Sequence, residues 1–314
     1  MDAHLIKETI IKNSMTANKK LSPELLQWLD KGAFLEIAEH RIFYIDEGDQ
    51  HLPVIILIHG FPTSSYDFSA MWERLRESHR VICLDMLGFG FSDKPNSRNY
   101  KIHKQADLID KLIDHLKITN FDILAHDYGV SVAQELIARQ LKGKGHGNCL
   151  SCAFLNGGLF PETHRALFLQ RILLSPIGKW VNLLNGFNMF SRTFSSVFGA
   201  NTKPSSRDLV LFWELINYNQ GRHLFHTVIT YIDDRREHQH RWRYALQNSP
   251  IPLALINGSV DPISGKHIVE RYTQLNCRLD YLAELSEIGH YPLVEAPDLV
   301  SDHYLAFLAQ ASKT

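Results

Sequence analysis

The chain has 314 residues, of which 45% are hydrophobic and 21% are charged, and its formal net charge is -1. These values are typical of a globular protein with a sizeable core, and they exclude disordered, collagen-like and fibrous proteins. Because the charge is balanced, the sequence gives no electrostatic footprint for nucleic acid or for an anionic membrane surface.

Residues 1–32 precede the first predicted strand and are interpreted as an N-terminal extension. The first twenty residues interrupt their apolar positions with Lys, Glu and Asn, so they lack the apolar region of a signal peptide. No apolar run approaches the roughly 18 residues of a membrane span. Four cysteines are too few for a disulfide framework in a chain of this length. We therefore expect a cytoplasmic protein with no stable membrane insertion.

Short apolar runs then alternate with amphipathic segments through the first half of the chain. This alternation predicts an α/β fold, in which helices cover both faces of a mostly parallel sheet. Residues 103–116 space their apolar positions three and four apart, which predicts a helix with one buried face. Strands are predicted at 33–38, 41–46, 54–59, 81–85, 121–125 and 150–156, the first two as a hairpin.

The pattern changes at residue 160, where a segment rich in aromatic and helix-compatible residues begins. We predict a helical cap at 160–245, inserted between two parts of one core, 1–159 and 246–314. The stretch 180–198 carries a stripe of large apolar residues, part of which we expect to face the pocket and to favour a small apolar substrate. The second part of the core is predicted to contain strands at 251–256 and 279–285 and helices at 264–275 and 296–308.

One predicted strand end carries a candidate nucleophile. Residues 125–136 read AHDYGVSVAQEL, which fits the strand, sharp turn and helix of a nucleophile elbow with Asp127 in the nucleophile position. Ala125 and Gly129 supply the small residues that this tight turn needs. Ser131 cannot take the role because it lies inside the helix. As a lone residue after a strand, Asp127 could equally be a helix N-cap.

Two further residues complete a catalytic pattern. Asp261 follows the strand predicted at 251–256, and His290 lies in a loop after the last strand. The chain order nucleophile, acid and histidine is that of the α/β-hydrolase triad. Taken singly, Asp261 could be a turn residue and His290 an ordinary loop histidine. Together with the elbow, they indicate nucleophilic catalysis.

Several longer motifs carry a family resemblance that extends from about residue 34 to the C-terminus. The chain resembles α/β-hydrolases of the aspartate-nucleophile group, which contains epoxide hydrolases and haloalkane dehalogenases. More closely, it is similar to the mesoderm-specific transcript protein family. The matching motifs are HGFPTSSYDF (59–68), LGFGFSDKP (87–95), HDYGVSVAQEL (126–136), NGGLFPETHR (156–165) and VFGANTKPS (197–205).

The resemblance implies a two-step hydrolysis. A carboxylate displaces a leaving group from saturated carbon, so Asp127 would form an alkyl ester that water then cleaves. His290, oriented by Asp261, would deprotonate that water. The backbone N–H groups of Phe61 and Tyr128 would form the oxyanion hole. A cis bond is implied after Phe61, water is the only cosubstrate, and no cofactor or metal is expected.

The substrate class is less well determined by the resemblance. Dehalogenases of this group hold the halide with an Asn or Trp after the first His-Gly and a Trp after the nucleophile, whereas this chain has Phe61 and Tyr128 there. Epoxide hydrolases use cap tyrosines to protonate the ring oxygen, and we expect Tyr231 first and Tyr218 next. An epoxide hydrolase-like reaction is therefore favoured. A haloalkane dehalogenase, an esterase or lactonase, and a receptor on a hydrolase fold remain alternatives.

Three other motifs are interpreted as structural. The glycines of 88–90 lack the third glycine of a dinucleotide fingerprint, so we predict a tight turn. Cys149 and Cys152 lie on a predicted strand, where residues three apart point to opposite faces, so no redox or metal role is expected. His238 and His240 lie among arginines, which would repel a metal ion.

Overall fold

The computed structural model describes residues 21–96, 100–163 and 186–313. Most of the predicted N-terminal extension, residues 1–20, lies outside the described residues. So do residues 180–185 of the predicted apolar stripe and the end of the motif at 156–165.

One eight-stranded sheet organises the described part of the chain. Its strands lie in the order β1-β2-β4-β3-β5-β6-β7-β8, and all pairings from β4 to β8 are parallel. The β1–β2 and β2–β4 pairings are antiparallel, which confirms the predicted hairpin. The strands are β1 (Ala33–Ile37), β2 (His40–Glu47), β3 (Val54–Ile58), β4 (Arg80–Leu84), β5 (Asn120–His126), β6 (Asn148–Leu155), β7 (Leu253–Gly258) and β8 (Tyr281–Leu285).

Helices connect the strands and form the described part of the predicted cap. Two 3-10 segments, Ser65–Phe68 and Tyr218–Leu224, accompany them. The α-helices among the described residues are α1 (Pro23–Asp30), α2 (Trp72–Arg76), α3 (Ile102–His115), α4 (Tyr128–Gln140), α5 (Phe187–Ser195), α6 (Ser206–Asn217), α7 (Phe225–Val228), α8 (Tyr231–Gln247), α9 (Lys266–Gln274), α10 (Pro292–Glu295) and α11 (Pro297–Ala311).

The central strands are buried on both faces, which explains their continuous apolar sequences. Four of the five residues of β3 and all five of β4 are buried. A parallel sheet covered by helices requires such strands, and burial of their side chains drives its formation. The predicted mostly parallel α/β architecture is confirmed.

The described part of the predicted cap, 160–163 and 186–245, consists of helices, 3-10 turns and loops. Helix α8 packs along α4, the helix that begins after the candidate nucleophile. The carboxylate of Glu135 on α4 accepts hydrogen bonds from Arg241 Nε at 3.0 Å and Trp242 Nε1 at 2.9 Å on α8. These contacts hold α8 of the predicted cap against α4, the helix that begins at the carboxyl end of β5.

Candidate active site

Asp127 lies at the sharp turn between β5 and α4. Its backbone has φ 44° and ψ -105°, a conformation that non-glycine residues adopt only under constraint. It holds the N-cap position of α4, yet its side chain makes no capping hydrogen bond. A Cβ on Gly129 would approach the carbonyl oxygen of Ile58 to 2.4 Å, so the turn requires glycine there. The structure thus gives Asp127 the backbone of a nucleophile elbow, with a carboxylate that does not cap the helix.

The loops after β7 and β8 bring the other two candidate residues to Asp127. His290 Nδ1 lies 2.7 Å from Asp261 Oδ2, and His290 Nε2 lies 3.8 Å from Asp127 Oδ1. All three residues are buried. The order Asp261, His290, Asp127 in space is that of an acid, a base and a nucleophile. The three residues singled out in the sequence therefore lie together.

Charges inside this site shift both pKa values of the acid–base pair. Burial alone would lower the pKa of His290, but the charge of Asp261, its hydrogen bond and the charge of Asp127 raise it to about 9. Burial would raise the pKa of Asp261, but the charge of His290 and its hydrogen bond, with Ser264 and the Ile263 N–H, lower it to about 2. Both shifts favour the charged forms of the two groups, so they favour an ion pair between His290 and Asp261.

Asp261 is fixed by more than His290. Its Oδ2 accepts hydrogen bonds from Ser264 Oγ at 2.7 Å and Asn156 Nδ2 at 2.9 Å, and its Oδ1 accepts from the backbone N–H of Ile263 at 2.7 Å. Asn156 follows β6 and was not predicted as a site residue. Its position at the end of a parallel strand, next to the elbow strand, is the signal that could have identified it.

One of the two predicted oxyanion donors contacts the Asp127 carboxylate. The backbone N–H of Phe61 donates to Asp127 Oδ2 at 3.0 Å, and the Phe61–Pro62 bond is cis. Tyr128 is the first residue of α4, where backbone N–H groups have no intrahelical acceptor. Its side chain turns away, since the hydroxyl donates to the Tyr100 carbonyl at 3.2 Å.

The two predicted cap tyrosines have different surroundings. The ring of Tyr231 is buried, 4.6 Å from that of Tyr128 and 6.0 Å from that of Phe61. Burial and the charge of Asp127 raise its pKa, so its hydroxyl keeps its proton. Tyr218 is half-buried, with its ring 5.1 Å from that of Phe91 and 5.4 Å from Lys94 Nζ. Of the two, Tyr231 lies beside the oxyanion residues.

A buried arginine, Arg235, also reaches the nucleophile and was not predicted. It lies one turn after Tyr231 on α8, is 1% exposed, and its Nη2 lies 3.9 Å from Asp127 Oδ1. Its Cζ lies 4.5 Å from the centre of the Tyr231 ring. In the sequence, Arg235 and its neighbouring arginines were interpreted only as cations that repel a metal ion. The four-residue spacing of Tyr231 and Arg235, which places them on one helix face, was the available signal.

One group of side chains could hold a metal ion among the described residues. Ligand atoms of His103, Asp234 and His238 lie within 4.8 Å of one another. The ammonium of Lys101, however, lies 2.8 Å from Asp234 Oδ1, and Asp234 Oδ2 accepts the backbone N–H of Ile102 at 2.7 Å. Both carboxylate oxygens are already bonded, so the arrangement fits an ion pair better than a metal site.

The C-x-x-C pair has no environment for redox chemistry. Cys149 and Cys152 are buried and free of disulfides. Burial raises the pKa of both thiols well above the usual value, which disfavours the reactive thiolate.

Among the described residues, no helix combines the length and the apolar character needed to cross a bilayer.

Comparisons with known proteins identify the family and the fold. A family model described as the alpha/beta hydrolase fold matches residues 53–163. The mesoderm-specific transcript protein of Mus musculus is 40% identical over 92% of this chain and 89% of its own length. The protein LipZ of Mycobacterium tuberculosis is 33% identical over 91% of this chain and 99% of its own. The solved haloalkane dehalogenase DbeA-M1 loop variant from Bradyrhizobium elkanii shares the fold, with a TM-score of 0.76, 19% identity and coverage of 90% of this chain and 97% of its own.

Proposed function

The chain belongs to the α/β-hydrolase fold family, together with the mesoderm-specific transcript proteins, and we propose that it hydrolyses its substrate through an alkyl ester on Asp127. The observation that carries the proposal is the placement of a carboxylate at the nucleophile elbow, 3.8 Å from His290 Nε2. A carboxylate is a poor acyl nucleophile but can displace a leaving group from saturated carbon.

The two oxygens of Asp127 have separate roles in the first step. Oδ2 accepts the Phe61 N–H, whereas Oδ1 faces His290 and Arg235. Oδ1 therefore attacks the substrate carbon, and the bond from that carbon to the leaving group breaks with its electron pair. The product of this step is an ester whose carbonyl oxygen, Oδ2, remains in the oxyanion hole.

The second step cleaves that ester. Esterification removes the charge of Asp127, which is one of the causes that raise the pKa of His290. The imidazole can then lose its proton and act as the base that activates a water. The hydroxide attacks Cγ, and negative charge develops on Oδ2 beside the Phe61 N–H. Collapse breaks the Cγ–Oδ1 bond, and the departing oxygen takes the proton that His290 removed from the water, which releases the alcohol. The new carboxyl group of Asp127, which now contains the oxygen of the water, returns its proton to the tyrosine that protonated an epoxide oxygen, or to solvent where the leaving group was a halide.

An epoxide is the substrate class that this site favours within the proposal. Among the described residues, the positions that hold halide in dehalogenases carry the Phe61 ring, which has no donor, and Tyr128, whose hydroxyl is used by Tyr100. Tyr231 instead presents a protonated hydroxyl near Asp127. In epoxide opening, the carbon–oxygen bond breaks toward the ring oxygen, which takes a proton from this hydroxyl.

The first test is the intact mass of His290→Ala after incubation with a panel of epoxides and haloalkanes. Loss of the base should leave the ester on Asp127, because water is no longer activated. An epoxide adds its whole mass, whereas a haloalkane adds its alkyl group without the halide. Peptide mapping should place the adduct on Asp127, and the double variant with Asp127→Ala should form none.

Each outcome distinguishes one alternative. A haloalkane adduct without an epoxide adduct would move the substrate to the dehalogenase class and retain the mechanism. Turnover of acyl esters that survives Asp127→Ala would instead favour an esterase or lactonase. Absence of any adduct across the panel, with an inactive wild type, would contradict the proposed ester mechanism and favour a binding role.

A further inference from the structure

The guanidinium of Arg235 has one nitrogen without an acceptor. Nε donates to Ser131 Oγ at 2.7 Å, and Nη2 donates to the Asp127 carbonyl oxygen at 3.2 Å. Within the described part of the chain, the buried Nη1 has no hydrogen-bond partner. A buried donor left unpaired is costly, so such a group in a native structure needs an explanation, and a bound ligand or a catalytic role is one of them.

The neighbours of Arg235 hold its guanidinium in a fixed position. A Cβ on Gly158 would lie 2.3 Å from Nη1, so only glycine leaves room for the guanidinium. Stacking on the Tyr231 ring and the bond to Ser131 fix its plane. The site is therefore built to present a cation beside Asp127 Oδ1, the attacking oxygen.

The charge balance changes when Asp127 reacts. Among the described residues, Asp127 is the only carboxylate within ion-pair distance of Arg235. The ester on Asp127 is neutral, and an arginine does not lose its proton in a protein. The alkyl-enzyme would thus contain a buried guanidinium without a counter-charge, which is unfavourable unless the bound substrate supplies one.

We propose that Arg235 binds a carboxylate carried by the substrate, so that the preferred substrates are acids whose reacting carbon lies close to the carboxylate. This inference rests on the proposed attack by Asp127 for the reaction, but the binding of acids can be measured without any reaction. The substrate carboxylate stays unchanged through both steps. It replaces the charge of Asp127 while the ester exists, and it leaves with the alcohol product.

Binding of an unreactive pair, hexanoate and hexanamide, tests the inference by calorimetry. Asp127→Asn imitates the neutral ester, so it should bind hexanoate at least about tenfold more tightly than the wild type does. Adding Arg235→Met should abolish this gain, and Arg235→Lys should retain part of it. Arg236→Met, which removes an exposed cation from the same helix, is the matched control and should bind as its parent does. Hexanamide should bind equally weakly to all of them.

Reactive pairs then separate this inference from the proposed function. Oxirane-2-carboxylate should form the His290→Ala adduct at lower concentration than oxirane-2-carboxamide, and Arg235→Met should remove that preference for the acid over the amide. Equal adducts from acid and amide would overturn the acid preference and leave the ester mechanism intact. Tight hexanoate binding by Asp127→Asn with no adduct from any probe would support the anion site and contradict the ester mechanism. Equal hexanoate binding by Asp127→Asn and its Arg235→Met double variant, with both folded, would overturn the inference.

Discussion

Asp127 combines two carboxylate oxygens with different partners, and this asymmetry organises the chemistry of the site. The Phe61 N–H takes Oδ2, while His290 and Arg235 lie 3.8 Å and 3.9 Å from Oδ1. The charge on Asp127 therefore influences both cations. In the proposed mechanism, loss of that charge would make His290 easier to deprotonate and would leave Arg235 without its anion. The same event would therefore prepare the second step and favour an acidic substrate.

The pKa of His290 should depend on Asp127. The charge of Asp127 is one of the causes that raise this pKa to about 9, and an opposite charge at this range shifts a pKa by roughly one unit or more. We expect Asp127→Asn to lower the pKa of His290 by about one unit, and Asp261→Asn to lower it further. Titration of the ring nitrogens by NMR, assigned with His290→Ala, measures this shift. An unchanged pKa in Asp127→Asn would contradict the coupling that the second step needs.

At this scale, the sequence was informative wherever chemistry is tied to a local motif. Asp127, Asp261 and His290 follow strand ends in a fixed order, so their meeting could be predicted. Arg235 was not predicted, because charged residues are rarely fully buried and only its four-residue spacing from Tyr231 distinguishes it from the exposed Arg236. Its role depends on the packing of α8 against α4, which is a tertiary contact.

Helix α8 lies in the predicted cap segment and packs against α4 of the core. Its sequence, YIDDRREHQHRWRYALQ, is polar on most sides, so the amphipathic pattern that usually predicts a packed helix is absent. Its buried residues include two charged ones, Asp234 and Arg235, beside apolar and aromatic ones. Asp234 binds the start of α3, Arg235 reaches the elbow, and Arg241 pairs with Glu135 on α4. The predicted end of the cap, residue 245, falls inside this helix, which runs to Gln247.

Asp234 should stabilise the docking of α8 on α3. It is fully buried, accepts the Ile102 N–H at 2.7 Å and lies 2.8 Å from Lys101 Nζ. We expect Asp234→Ala to lower the free energy of unfolding by about 2 kcal/mol, because a helix N-terminal N–H loses its acceptor. Urea unfolding measures this loss. The matched variant Asp233→Ala, whose carboxylate pairs with Arg236 on the surface, should change the free energy by less than about 0.5 kcal/mol. Equal losses in both variants would contradict a docking role for Asp234.

At the scale of the whole molecule, the strands were predicted to within two residues of their observed ends. Parallel strands buried on both faces need uninterrupted apolar runs, and the turns after them need glycine or polar residues. The packing of the predicted cap segment on the core has no such local sequence pattern, because it depends on pairs such as Glu135 and Arg241 that are far apart in the chain. The fold was accordingly easier to predict than the part of the site contributed by the cap.

The buried pair of His290 and Asp261 also links the stability of the whole fold to pH. The pKa of His290 in the folded protein, about 9, lies above the ordinary value of 6.5, so the folded state binds more protons between these values. Its stabilising effect is complete below pH 6.5 and is lost as the pH rises through about 9. Asp261, with a pKa lowered to about 2, adds stability that is present above its ordinary value of 3.8 and is lost as the pH falls through about 2. The pair therefore stabilises the fold most between about pH 4 and 6.5.

The difference in unfolding free energy between the wild type and His290→Gln should consequently shrink by about 2 kcal/mol from pH 6.5 to 9. Urea unfolding at half-unit pH steps measures it, with Asp261→Asn as the second variant. Without Asp261, the main cause of the raised pKa is gone, so Asp261→Asn should lose little stability over the same range. If the difference in unfolding free energy between the wild type and His290→Gln stayed constant from pH 6.5 to 9, His290 would already be neutral in the resting protein. Activation of the base would then not need the loss of charge at Asp127, and the two steps of the reaction would be independent of each other.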